Sequence, residues 1–188
     1  MYWYFVLLFV FASLRIAELL VSRRHQVQLL AEGGQKVVEP TYPLMVGVHT
    51  SLLLGSAVEV WLLGRPFVAL LGWTMLVLLA LCVIGRIWVW RSLGQQWNTQ
   101  IMTSARAIID SGPYRYVRHP NYTIVIIEMF ALPLVHSAYV TACVCSVLNA
   151  VVLQQRISLE EAALLQKPAY RHTMARKPRF FPTILRER

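Results

Sequence analysis

Five stretches of the chain are almost continuously apolar, at about 2–22, 43–63, 66–88, 121–135 and 138–155, and polar residues collect between them. The first three have about the length a helix needs to cross a bilayer core. The last two are shorter, meet around Pro133, Leu134 and His136, and predict a tight helical hairpin. No internal repeat or low-complexity tract interrupts them. The pattern predicts an all-α, polytopic integral membrane protein with about five transmembrane helices. A three-helix membrane region over 1–90 and a second region over 91–188, holding the hairpin and a C-terminal helix, would form one compact unit.

Composition supports that solvent. The 188 residues are 57% hydrophobic and only 14% charged, where a soluble domain carries about a quarter charged residues. The net charge of +9 sits beside the apolar segments, as in proteins whose basic loops meet anionic headgroups. No basic stripe with interleaved stacking aromatics lies outside them, so nucleic acid is not an expected partner. Cys82, Cys143 and Cys145 sit inside apolar runs with no Cys/His spacing, so neither disulfide nor metal site is expected. The run from Met1 to Leu14 lacks a basic start and a cleavage site, and reads as a retained first helix.

The basic residues also predict an orientation. Arg23, Arg24 and Lys36 follow the first span; Arg86, Arg91, Arg106, Arg115 and Arg118 follow the third; Arg156 opens a basic tail running to Arg188. Arg65 alone lies between the second and third spans, and the hairpin tip has no Lys or Arg. With five spans the three rich segments share one side, which the positive-inside rule makes cytoplasmic. The N-terminus is then outside, and the long polar segments 89–120 and 156–188 face the cytosol.

A charge at membrane depth is costly and points to function unless it is paired or snorkels. Arg15 and Glu18 are three apart on one helix face and can pair there. His49 lies at the same depth as Arg15, as a packing residue or a participant in chemistry. Glu59 is expected at the outer end beside Arg65. Glu128, about two turns into its helix, must be protonated, paired or lining a cavity.

Two clusters carry candidate chemistry. In Ser111-Gly112-Pro113-Tyr114-Arg115-Tyr116-Val117-Arg118-His119-Pro120-Asn121-Tyr122 a Gly-Pro turn leads to a His-Pro step, with Pro120 suited to a first helical turn. Free backbone N–H groups at that helix start would suit an anionic group, with Arg118, His119 and Tyr122 around it. In the second cluster, Arg156-Ile157-Ser158-Leu159-Glu160-Glu161, Arg156 and Glu160 share a helix face.

Together these segments resemble the isoprenylcysteine carboxyl methyltransferase family, through Gly112, Tyr114, Arg118, His119, Pro120 and Tyr122, then Arg156, Ile157, Glu160, Glu161 and Leu164, and the closing Phe181-Pro182. The resemblance covers about 92–182. It implies a cytosol-facing pocket for S-adenosylmethionine, with Tyr116, Arg118, His119, Pro120 and Tyr122 as cofactor contacts. Glu161 is a further cofactor contact through ribose hydroxyls, and Arg156 and Glu160 are active-site residues. His49, Trp97 and Glu128 are expected substrate contacts. Gln166-Lys167-Pro168 replaces the family's Phe-Phe-Gly, and Thr173 stands at its second Tyr position, which argues against a prenylcysteine substrate. The stretch Leu93–Trp97 through Tyr122, with Glu128, resembles the microbial branch acting on alkylpyrones and alkylresorcinols.

The implied reaction is in-line displacement at a sulfonium methyl by an acidic oxygen of a lipophilic acceptor. Alignment and exclusion of water would drive it, with Glu160 or His49 as base for a phenolic acceptor. The alternatives are a prenylcysteine carboxyl methyltransferase, an NADPH-dependent membrane sterol or lipid reductase, and a non-catalytic membrane adaptor. Membrane lipid and a lipophilic small molecule are the expected partners, and the expected location is a bacterial inner membrane.

Overall fold

A computed structural model of the chain describes residues 2–104 and 106–182; the end of the basic tail, at Arg186 and Arg188, lies outside these. Six α-helices occur among the described residues: α1 Tyr2–Ala31, α2 Tyr42–Leu62, α3 Ala69–Leu93, α4 Pro120–Leu134, α5 Tyr139–Leu164 and α6 Pro168–Met174. Helices α1, α2, α3 and α5 are long and apolar enough to cross a membrane, while α4 has 15 residues. The expected five spans are thus four of crossing length and one short helix. The short hairpin predicted at the end is also asymmetric, because α5 continues nine residues past the apolar run to carry Arg156, Glu160 and Glu161.

Helix α4 packs between α3 and α5, and α5 packs on α2. The core at the hairpin end joins Tyr4, Leu8 and Phe11 of α1 to Leu52 and Val60 of α2, Leu79 of α3 and Leu132 of α4. Phe9, Leu54, Leu70, Ile84, Val144 and Val151 are exposed on the outside, where acyl chains and not water are the favourable solvent. The Tyr4 hydroxyl donates to the Leu132 carbonyl at 3.0 Å, serving an acceptor in the last turn of α4 that the helix itself leaves free. Glu59 pairs with Arg65 as expected and also accepts the N–H groups of Val140 (3.1 Å) and Thr141 (2.7 Å). A residue of α2 therefore caps the start of α5.

At the opposite, loop-rich end, β1 (Gln35–Lys36) pairs antiparallel with β2 (Met102–Thr103), and Val37 N–H donates to the Ile101 carbonyl. A Cβ at Gly34 would come within 2.7 Å of the carbonyl oxygens of Leu29 and Thr103, so only glycine lets α1 close onto this ribbon. The ribbon holds the loop before α2 against the loop after α3, and so sets the mouth of the site.

Candidate active site

One cavity of about 560 Å³ lies among α1, α2, α4, α5 and the 97–102 loop, within the usual range for small-molecule sites. Residues of both expected regions line it, from Arg15 and His49 to Arg156 and Tyr170.

The wall nearest the loop-rich end is built around Arg156, which is 5% exposed. Its Nε donates to the Tyr122 hydroxyl at 2.8 Å and its Nη2 to the Thr99 carbonyl at 2.6 Å. Its Nη1 lies 2.9 Å from the Glu39 carboxylate and 3.1 Å from Met45 Sδ. The Tyr122 hydroxyl in turn donates to Glu160 at 2.5 Å. Arg156 and Glu160 are thus joined through a phenol, one turn apart on α5, and both face the cavity. Arg156 has most of its donors engaged within the protein, so it orients Tyr122 and the Thr99 loop.

Glu39 was not singled out in the sequence. Its other oxygen accepts the Ile101 N–H at 2.5 Å. Burial pushes its carboxyl up from the ordinary glutamate range, and the Arg156 guanidinium pulls it back. Only the β1–β2 pairing brings residue 39 to residue 156, and no local spacing encodes that.

His119 immediately precedes α4 at its N-cap position (φ −126°, ψ 56°), is 4% exposed, and stacks on Tyr122 with ring centroids 5.3 Å apart. Its Nε2 lies 3.0 Å from Glu161. Glu161 also pairs with Arg118 at 3.1 Å and Arg179 at 2.7 Å. With three cationic or N–H neighbours, Glu161 has little capacity left for a ribose hydroxyl, and it does not line the cavity; it anchors the His-Pro step to α5. The N–H groups of Arg118 and His119 donate to the carbonyls of Pro178 and Arg179, so the segment before Phe181-Pro182 braces the motif. The expected anion cradle at the start of α4 is also partly filled, because the Tyr122 and Thr123 N–H groups donate to the His119 carbonyl. Pro120 is buried at the first helical position, as its missing N–H allows.

Tyr116 is 52% exposed and points away from the cavity. Gly112, with φ +58°, opens a 3-10 turn over Gly112–Arg115. Beyond this turn Val117 is buried and Tyr116 is left on the outside. Tyr114 lines the cavity in its place.

Several buried polar atoms at this cavity have no partner among the described residues: Trp97 Nε1, Tyr170 Oη, Asn121 Oδ1 and Gln100 Oε1. Burial pushes the Tyr170 phenol up to about 12, so it remains a donor near neutral pH. Unpaired buried groups cost roughly 1–3 kcal/mol each, and a ligand carrying hydroxyl, amino and carboxylate groups would satisfy them. Trp97 itself is 3% exposed and packs edge-on to Trp90 at 4.8 Å. Among the described residues no cluster of His, Cys, Asp or Glu could hold a metal ion.

Deeper in the helices, Arg15 and Glu18 of α1, Arg86 of α3 and Glu128 of α4 close a ring of ion pairs; Arg86, expected in the basic segment after the third span, lies within α3 because it pairs with Glu18 and Glu128 there. Arg15 lies 2.8 Å from Glu18 and 3.4 Å from Glu128, while Arg86 lies 3.3 Å from Glu18 and contacts Glu128 directly. Glu128 is therefore paired and not on the wall of the main cavity; Arg15, Glu18 and Arg86 reach that wall, beside His49. Two positive and two negative charges cancel, which makes their burial tolerable.

The model of the isoprenylcysteine carboxyl methyltransferase (ICMT) family matches residues 73–166 of this chain, the span from α3 through Arg156, Glu160 and Glu161. The uncharacterized protein YpbQ of Bacillus subtilis is 35% identical over 166 residues, covering 87% of this chain and 96% of the relative. An uncharacterized protein of Haemophilus influenzae is 28% identical over 156 residues, covering 81% and 89%. The family match covers one side of the cavity, with Tyr122, Arg156 and Glu160, and implies methyl transfer, not nicotinamide-dependent reduction. The chain belongs to the isoprenylcysteine carboxyl methyltransferase family and is an integral membrane methyltransferase.

Proposed function

We propose that this protein transfers a methyl group from S-adenosylmethionine to an acidic oxygen of a lipophilic acceptor, favoured as a long-chain alkylpyrone or alkylresorcinol. The observation that carries the reading is a single cavity with two unlike halves. One half presents Glu160, Tyr122, Tyr170 and Trp97, a set of carboxylate, phenols and indole suited to a cationic, polar cofactor. The other is an apolar slot between α1 and α2, walled by Ala12, Ile16, Val46, Leu53 and Leu54. Ile16 and Leu54 are also exposed on the outer surface, so a hydrocarbon tail has a route from the bilayer into the slot. The flat rings of Trp97 and Tyr122 suit a conjugated head better than a small flexible carboxylate. Gln166-Lys167-Pro168 lies away from the cavity, where the Lys167 ammonium donates to the Ser104 carbonyl, so the support for this acceptor rests on the walls.

When bound, the cofactor supplies an electrophilic methyl; the protein's own residues hold the reacting atoms in line and exclude water. Adenosylhomocysteine should raise the melting temperature of the purified protein, and NADPH should not; the reverse result would overturn the cofactor assignment. With labelled S-adenosylmethionine and equal amounts of an alkylpyrone and farnesylated N-acetylcysteine, methyl should enter the pyrone. Methylation confined to the prenylcysteine would overturn the acceptor and leave the cofactor standing.

The loop-rich end, whose segments carry Arg106, Arg115, Arg118 and Arg179, is proposed to face the cytosol of a bacterium across its inner membrane. A reporter fused after Arg188 is expected to score as cytosolic, and one ahead of Tyr2 as external.

A further inference from the structure

The hydrogen bond that His49 makes on α2 sets its protonation pattern. Its Nδ1 lies 2.9 Å from the carbonyl of Met45, one turn back on the same helix. A carbonyl only accepts, so Nδ1 carries the proton, and in the neutral ring Nε2 is left as a lone-pair acceptor. His49 lines the main cavity and, with Arg15 and Glu128, a second small void beside the ion-pair ring. The charged groups around it are Arg15 and Glu18 from α1, Arg86 from α3 and Glu128 from α4, and they neutralise one another. Arg156 of α5 lies nearer the mouth, already paired with Glu39.

Depth is consistent with a role at the acceptor oxygen. Met45 Sδ touches Arg156, and His49 lies four residues deeper, roughly 6 Å along the helix. The other acids and imidazole on the cavity wall are already engaged: Glu160 accepts the Tyr122 hydroxyl at 2.5 Å, His119 Nε2 lies 3.0 Å from Glu161, and Glu18 is paired with Arg15 and Arg86.

We propose that His49 is the general base of this site and that its free Nε2 serves an acceptor presenting a protonated phenolic hydroxyl in preference to one presenting a carboxylate. The inference rests on the methyl-transfer reading above. The hydroxyl proton passes to His49 Nε2 as the oxygen forms its bond to the sulfonium methyl carbon. The carbon–sulfur bond breaks with its electron pair going to sulfur, leaving a neutral thioether and an imidazolium. The imidazolium returns its proton to water once the product has left. A carboxylate has no proton to give, and its oxygen would meet the Nε2 lone pair.

The test compares the wild type with His49→Gln, which keeps a polar group of similar reach without a basic nitrogen. At neutral pH the variant should methylate a long-chain alkylresorcinol about 10²–10³-fold more slowly. The deficit should shrink as pH approaches the phenol's own ionisation near pH 10, while an alkylpyrone, already acidic, should lose no more than a few-fold. Adenosylhomocysteine should raise the melting temperature of His49→Gln as much as that of the wild type, and added imidazole should restore part of the rate to His49→Ala. Equal losses on both acceptors with a flat pH response, or a His49→Gln rate within about threefold of wild type, would overturn the role of His49. Wild-type methylation of farnesylated N-acetylcysteine in preference to the resorcinol would overturn the hydroxyl class. Failure of adenosylhomocysteine to stabilise even the wild type would instead remove the cofactor reading, and this inference with it.

Discussion

Replacing Arg156 with Met should nearly abolish methyl transfer in a protein that still folds once its partner is also neutralised. The guanidinium holds the Tyr122 hydroxyl, the Thr99 carbonyl and the Glu39 carboxylate at once, at 2.8, 2.6 and 2.9 Å. Truncating one partner of a buried, hydrogen-bonded charge pair costs about 2–5 kcal/mol, or about 30-fold to several thousand-fold in rate when the loss falls on the transition state. Part of that cost in the single variant is an unpaired Glu39 carboxylate. The double variant Arg156→Met/Glu39→Met removes that charge and should recover thermal stability without recovering turnover. Arg156→Lys should also fail, because a point charge cannot serve Tyr122, Thr99 and Glu39 together. Initial rates with labelled S-adenosylmethionine, read beside melting temperatures, separate the two effects. Recovery of turnover in the double variant would reduce Arg156 to a structural ion. Glu160→Gln is expected to lose activity as well, since Glu160 accepts the Tyr122 hydroxyl on the cavity wall; a folded variant with near-normal turnover would remove it from the mechanism.

The second large effect is on stability. Arg86→Met should lower the melting temperature sharply, because it leaves Glu18 and Glu128 with Arg15 as their only partner within the ring. Breaking a buried pair typically costs about 3–5 kcal/mol, and here the surplus charge lies within the apolar part of three helices. Arg86→Met/Glu128→Gln restores neutrality and should recover much of the loss, so the double variant loses less than the two single losses summed. Strict additivity of the two single losses would show that the ring does not act as a unit. The same variants should impair acceptor methylation more than cofactor binding, since the ring borders His49 and not the mouth.

The helices, their solvent and the family could all be read in the linear chain. Apolar runs of spanning length need no partner to declare themselves, because every residue of such a run carries the same information. The His-Pro step and the Arg156–Glu161 segment are equally local: a helix start and a four-residue spacing follow from backbone geometry alone. The pairing of Arg15 with Glu18 is of the same kind, being one turn of one helix.

Partners distant in sequence were decided by the tertiary structure. Nothing near Glu39 marks it as the counter-ion of Arg156, 117 positions away in the chain; a two-residue ribbon and a glycine too crowded for any side chain bring them together. Tyr116 belongs to the motif in the linear chain, but the backbone around the Gly112–Arg115 turn leaves it outside and puts Tyr114 on the cavity wall. Glu161 was legible as a charged neighbour of Glu160, yet its three partners come from His119, Arg118 and Arg179, on two other segments. Charge type and depth were visible for Glu128, whereas Arg86 read as part of the basic segment after the third span and lies inside α3; the closure of four charges into a neutral ring required three helices to meet at one level. Sequence specifies what each helix must bury; only packing specifies what it is buried against, because pair energies depend on distances that no linear spacing contains.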